Sequence, residues 1–291
     1  MGLKESKVSN KISRDAKLWR YMTLDKLINL LSTKKLFFTP LNSYAETDPF
    51  EGLLPKVALD SIKCLYLAGQ KSLEENLHSV YQYSLRKNEG KPLSPLQIDV
   101  LDKAVKMIKN QPLLMEKVHF RIFKSTLVNC WHQNEYESEA MWRLYSENNK
   151  GIVIQTTLQN LVESLDDERI FLSEVKYINF NDEMLKPSDC VVNGHISPLL
   201  KRKSFEHENE VRLFFQPDRD LAILSADEYH YPYELIDVDL SKLISKIYIS
   251  PYAKEPYISS VIEMVKIFGI NESKVVYSNL LKPDENLTRI F

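Results

Sequence analysis

Between about Lys56 and Ser125 the strand-like alternation of apolar and polar residues stops, and only helical periodicity remains. Ser94-Pro95-Leu96-Gln97 has the form of a capping box with proline at the first helical position. Leu96, Val100, Ala104 and Ile108 then recur in helical register. On either side of this block lie short strand-like runs: Leu18–Tyr21, Lys35–Thr39, Gly151–Gln155, Ile170–Tyr177, Tyr233–Val238, Lys246–Ser250 and Lys274–Tyr277. Helical segments, at 24–32, 157–165 and 256–268, fall irregularly among them. Irregular alternation disfavours a doubly wound parallel sheet. The expectation is an α+β fold with a mixed, mostly antiparallel central sheet, flanking helices and an all-helical insertion of three or four helices at about 56–125. Residues 1–16 are expected to be a flexible leader, and 17–291 a single domain.

Glycine narrows the chemistry. The chain has 7 glycines in 291 residues and neither a G-x-G-x-x-G nor a Walker loop. Any phosphate must therefore be held by side chains such as arginine. There is no H-E-x-x-H and no paired C-x-x-C, so no metal is expected. The formal net charge of −2 does not indicate a nucleic-acid partner. No apolar run approaches the roughly 20 residues of a membrane helix, so no membrane partner is expected. Cys64, Cys130 and Cys190 are widely spaced and odd in number, which fits a reducing compartment and a cytoplasmic setting.

Two stretches carry the candidate site. Val128–Ile154 holds two of the three tryptophans, Trp131 and Trp142, with Tyr145 on the same helical face as Trp142. Glu135, Glu137 and Glu139 precede that helix, so the stretch reads as a pocket rim, packed behind and polar in front. Ser197-Pro198 is expected to open a short helix through Phe205. Beyond it, Glu208, Glu210, Arg212 and Phe214 share one face if the chain is extended. The bland readings stand beside these: a core Trp/Tyr pair, a structural ion pair of Arg20 with Glu208 or Glu210, a solvated Glu210–Arg212 ladder, and Asp48 and Glu51 as helix caps.

Taken in order, Trp19-Arg20-Tyr21, Asp48-Pro49-Phe50-Glu51, Cys130-Trp131-His132, Met141-Trp142-x-x-Tyr145, Gly151-Ile152-x-Ile154, Glu208-x-Glu210-x-Arg212 and Ile247–Pro251 resemble the bacterial domain-of-unknown-function family 2971. A fainter resemblance is to ADP-ribosyltransferases, which implies NAD as substrate and a role as a toxin or phage-defence effector. On that resemblance Glu210, with Glu208, is the catalytic carboxylate pair. Arg20, Tyr21, Trp142, Tyr145, Ser146 and Arg212 bind the dinucleotide. The acceptor, a small nucleotide or a macromolecule, is left open. The chemistry is consistent: a carboxylate stabilises an oxocarbenium-like state, and an arginine binds pyrophosphate without a glycine loop. Two alternatives belong to other classes. One is a magnesium-dependent nuclease or phosphodiesterase gathering Asp48, Glu51, Glu208 and Glu210. The other is a non-catalytic nucleotide- or partner-binding sensor module.

Overall fold

The computed structural model describes residues 2–87, 91, 93–218 and 231–282. Its strands are β1 (Lys17–Thr23), β2 (Lys35–Pro40), β3 (Leu127–Gln133), β4 (Gly151–Thr157), β5 (Phe171–Glu174), β6 (Lys176–Ile178), β7 (Leu200–Arg202), β8 (Glu210–Phe215), β9 (Glu234–Asp237), β10 (Lys246–Ile249) and β11 (Val275–Tyr277). The helices are α1 (Leu24–Thr33), α2 (Lys56–Lys87), α3 (Pro95–Ser125), α4 (Glu139–Tyr145), α5 (Leu158–Glu163), α6 (Leu240–Leu243) and α7 (Tyr257–Ile267). The fold is α+β, as the patterning implies.

Nine strands form one sheet, in the order β11-β10-β4-β1-β3-β2-β9, with β8 and then β5 beside β3. Only the β10–β11 pairing in it is parallel. A separate parallel pair joins β6 to β7. The edges of β3 decide where a site can form. β8 pairs with β3 over Leu127–His132, filling one edge. The other edge is divided: β1 meets it only at His132 and Gln133, and β2 only at Leu127 and Val128. Between those ends the sheet parts, and the middle of β3 borders a wedge.

Hydrophobic burial fixes the faces. Leu18 and Met22 of β1, Trp131, Ile152 and Ile154 join Leu27, Leu31, Leu158 and Val261 in the main core. The alternate β1 residues Trp19 and Tyr21 pack with Met141, Trp142 and Val153 under α4. A third cluster, with Leu41, Leu54, Val128, Leu199 and Phe214, fastens the 41–54 turn to the sheet.

Three expectations are revised. Among the described residues the helical block consists of two long helices rather than three or four; the Ser94–Gln97 capping box does start the second. The 197–205 stretch is not a helix: β7 leads into a 3₁₀ turn, Lys203–Glu208. Lys201 faces acidic neighbours there, and strand pairing with β6 overrides the local helical pattern. Finally, residues 2–16 lie on the body. Leu3 and Ile12 are buried, the Leu3 amide donates to the Val162 carbonyl, and Val8 bridges to Leu172.

Candidate functional site

Glu210 and Arg212 begin β8, and strand period two puts them on the face of their β3 partners, His132 and Cys130. Glu208 is not on the strand, contrary to the extended reading. It ends the 3₁₀ turn, and Asn209, at φ +38°, kinks the chain between the two glutamates. Asparagine tolerates this left-handed conformation, and its side chain donates to the Gln133 carbonyl at 2.6 Å. The kink returns Glu208 toward Glu210, so the two carboxylates still converge.

They converge on Lys201. Its Nζ donates to Glu210 Oε1 at 2.8 Å and to Glu208 Oε2, and lies 3.6 Å from Glu51 Oε2. Arg212 closes the ring. Its Nε donates to Glu210 Oε2 at 2.5 Å, and its Nη1 to Glu51 Oε1 at 2.8 Å and to the Pro198 carbonyl at 2.7 Å. All five side chains are buried. Glu51 is thus a member of the network rather than a helix cap. Its backbone carbonyl also accepts from Lys124 at the end of α3, at 2.8 Å. Asp48 bonds Arg202 Nη2 at 2.6 Å and the Phe50 amide at 3.0 Å. The Tyr177 hydroxyl accepts from the Glu210 amide.

The two carboxyls are pushed apart. Burial and the hydrogen bond and charge of Glu210 raise Glu208 to about 8. Burial works to raise Glu210 too, but Arg212, the Glu208 hydrogen bond and Lys201 outweigh it and hold Glu210 well below the carboxylate range. At neutral pH, Glu208 is therefore mostly protonated. Two anions, Glu51 and Glu210, then balance two cations, Lys201 and Arg212, inside the protein. Such separated carboxyls are an acid–base pair in the making.

His132 lies beside this pair. Its Nδ1 meets the Glu208 carbonyl at 2.5 Å, an acceptor, so that nitrogen carries the proton and Nε2 keeps a lone pair. Nε2 is buried and has no partner. Burial lowers the ring's basicity, which favours this neutral tautomer.

Arg20 is placed differently. Strand alternation sets it beside Trp131, its guanidinium carbon 5.8 Å from that ring, whereas Glu210 shares the His132 face. Among the described residues it has no ion pair, and Nη1 is buried without a hydrogen-bond partner. Burial lowers its pKa; the Tyr44 phenol and the Cys130 thiol oppose that fall. Both Tyr44 and Cys130 also feel Glu210 and Arg212. Arg20 and the carboxylate network thus both act electrostatically on Tyr44 and Cys130.

The remaining candidates divide by exposure. Trp142 is fully buried, edge-on to Tyr21 at 5.1 Å, with Nε1 donating to Glu137 Oε2 at 3.0 Å. Tyr21 is buried and its hydroxyl accepts from the Ser138 amide. Neither ring presents a face to a ligand. Tyr145 is 42% exposed, and burial with the charges of Glu208 and Glu210 raises its phenol. It is therefore the ring of this helix that a ligand can touch. Ser146 Oγ is buried, unpartnered and pressed against Gly151. Arg212 has Nε and Nη1 engaged by Glu210, Glu51 and the Pro198 carbonyl and serves as the clamp on Glu210.

Residues 141–213 match the model of a family described as Protein of unknown function (DUF2971). The matched segment runs from α4 into β8. It contains Trp142, Tyr145, Lys201, Glu208, Glu210 and Arg212; Arg20, Glu51, Cys130 and His132 come from outside it. No curated protein and no solved structure matches the chain.

Sequence reasoning missed Lys201 because the 197–205 stretch reads as a helix. His132 carried a signal, a histidine after a tryptophan at a strand end, but nothing in the sequence shows that its Nε2 is unpartnered. The magnesium arrangement meets a concrete obstacle. Glu51, Glu208 and Glu210 do gather, but around the Lys201 ammonium, and Asp48 is paired with Arg202. Among the described residues no three His, Cys, Asp or Glu side chains are placed to hold a metal. A cavity of about 890 Å³ lies elsewhere, between the start of α2 and the 180–185 loop.

Proposed function

We propose that this chain is an ADP-ribosyltransferase-like protein that acts on NAD. The observation that carries the reading is Arg20, a half-buried side chain whose buried Nη1 has no hydrogen-bond partner, on the strand next to the one flanking the Glu208–Glu210 pair. A buried charge normally has a partner, and a dinucleotide pyrophosphate would supply it. Tyr145, exposed and within the electrostatic reach of both glutamates, offers a ring for the nicotinamide.

The roles of the glutamates follow from their partners. Glu210 has both oxygens tied by Lys201 and Arg212, so it supplies a fixed negative charge near the developing oxocarbenium ion. Glu208 is the group able to move a proton. In the reaction, the bond from ribose C1′ to the nicotinamide nitrogen breaks, and nicotinamide leaves neutral with the bonding pair. A nucleophile on the acceptor bonds to C1′ and gives its proton to the Glu208 carboxylate or, from the other side of the pair, to His132 Nε2. If Glu208 is that base, turnover rises with pH through about 8 as it ionises.

A second reading, a non-catalytic nucleotide sensor, is favoured by the closure of Glu210 within its ion network. Incubating the protein with NAD labelled separately in the nicotinamide and adenine halves divides the two. Nicotinamide release that is lost in Glu208→Gln supports transfer chemistry. Saturable binding without release supports the sensor. No binding at millimolar NAD refutes both.

A further inference from the structure

The exposed apolar surface of this molecule is concentrated on the α2–α3 hairpin. Fourteen of the twenty-seven exposed large apolar side chains among the described residues lie on these two helices. From Leu59 to the end of α2 no residue is buried, and none of the described side chains of α3 from Leu96 to Lys117 is buried either. The hairpin does have a seam of its own. The Tyr66 hydroxyl bonds His119 Nδ1 across it, and Leu101, Ala104, Val105 and Ile108 are half-buried. Beside this seam runs a second stripe. Leu96, Val100, Met107 and Leu114 follow one another at intervals of four, seven and seven residues, on one helical face, and are 73%, 59%, 75% and 46% exposed. On α2, Leu65 and Tyr83 lie eighteen residues, five turns, apart on one flank at 71% and 64% exposure.

We propose that this hairpin is a dimerisation arm whose partner is the hairpin of a second copy of the chain, related by a two-fold axis along the arm so that α2 packs on α3 of the partner in a four-helix bundle. Size and charge both select this occupant. Helices of 32 and 31 residues are each roughly 45 Å long and about 10 Å wide. A face two helices wide therefore offers roughly 900 Å², against the about 800 Å² per partner of a stable interface. Near the middle of α2 stand Glu74 and Glu75; near the middle of α3 stand Lys103, Lys106 and Lys109. That axis sets the glutamate-bearing α2 of each copy against the lysine-bearing α3 of the other, twice, whereas a two-fold across the arm would set α2 on α2. The mixed sign of these charges suits a self-complementary protein partner better than an anionic lipid surface, which would favour an arm basic along its length.

The test is sedimentation velocity of the full chain from about 1 to 50 μM, bracketing a micromolar dissociation constant. A dimer is expected in the upper part of that range. The double variant Val100→Glu/Met107→Glu alters only exposed positions; it should be monomeric throughout with an unchanged far-ultraviolet spectrum. Lys103→Glu/Lys106→Glu should weaken the dimer at least tenfold, and adding Glu74→Lys/Glu75→Lys should restore it. A wild-type monomer at 50 μM overturns the proposal, including one that binds phosphatidylglycerol vesicles or another protein instead. So does a dimer indifferent to the glutamates at 100 and 107.

Discussion

Glu208 and Lys201 share a buried hydrogen bond, yet the electrostatics of the site separate the consequences of removing each. Lys201→Met leaves Glu51 and Glu210 ionised with Arg212 as the only remaining cation of the network, in a region where all of these groups are buried. Breaking a buried pair by deleting one partner costs about 3–5 kcal/mol. Glu208→Gln removes no charge at pH 6–7, because the folded protein already holds that carboxyl protonated. It should cost under about 1 kcal/mol below about pH 4.5, where the unfolded carboxyl is protonated as well and only one neutral hydrogen bond is lost. The pH dependence follows from linkage. The folded-state pKa of Glu208 is raised from 4.5 to about 8, so its stabilisation is complete below about 4.5 and is lost as pH rises through 8. Across that window wild type loses up to about 1.4 kcal/mol per pH unit relative to Glu208→Gln. Urea unfolding followed by tryptophan fluorescence measures this directly, since Trp19, Trp131 and Trp142 are all buried. The expected result is a Lys201→Met variant several kcal/mol less stable at pH 7, and a Glu208→Gln variant that overtakes wild type at about pH 5.5 and is the more stable of the two at pH 7. Equal losses for the two variants at pH 7, or parallel pH profiles for wild type and Glu208→Gln, would refute the assignment of the proton to Glu208.

Further outcomes are expected at neighbouring positions. Arg20→Met removes a buried cation that has no partner, so its melting temperature should equal or exceed wild type while NAD affinity by calorimetry falls at least tenfold. A loss of stability without loss of binding would make Arg20 structural. Trp142→Ala should destabilise by about 3–5 kcal/mol in urea, as a fully buried ring removed from the Tyr21 edge contact. Tyr145→Ala, at a half-exposed ring, should leave stability within about 0.5 kcal/mol and weaken ligand binding. Asn209→Val should cost about 1–3 kcal/mol, because a β-branched residue cannot hold φ +38° without strain, whereas Asn209→Gly should be much milder.

The fold was largely legible because its signals are local. Alternation in β1, β4 and β8, the capping box at Ser94, and helical periodicity in α1 and α7 each depend on near neighbours along the chain. What sequence could not show depends on separations in space. The Ser197–Phe205 stretch looked helical until pairing with β6 made Leu200–Arg202 a strand, and that change hid Lys201. The spacing of Glu208 and Glu210 suggested one strand face. Their convergence instead comes from a left-handed asparagine, a backbone state that periodicity does not encode. Residues 2–16 looked polar enough to be loose, yet Leu3 and Ile12 sufficed to seat them. The long helices were visible, but not that about half of their apolar residues would remain exposed.

The network and Arg20 differ in a way that bears on function. In the network every cation has carboxylates and Glu208 can be neutral, so the charge is already balanced and the geometry is held without a ligand. Arg20 has the opposite condition. Its desolvation is offset by no anion, only by the Trp131 ring and the fields of Tyr44 and Cys130. A balanced cluster is what a scaffold needs; an unbalanced buried cation is a standing penalty that an anionic ligand would relieve. The division of the β3 edge explains how that penalty can persist. Because β1 meets β3 only through Leu18 and Trp19, Arg20 has no pairing partner on that strand. If Arg20 were merely structural, Arg20→Met would remove its Trp131 contact and lower stability. If it is an anchor, the same change should relieve the penalty, and added NAD should stabilise wild type but not the variant. That opposite response to ligand is the sharper discriminator, because it holds whether or not the glutamates catalyse any reaction.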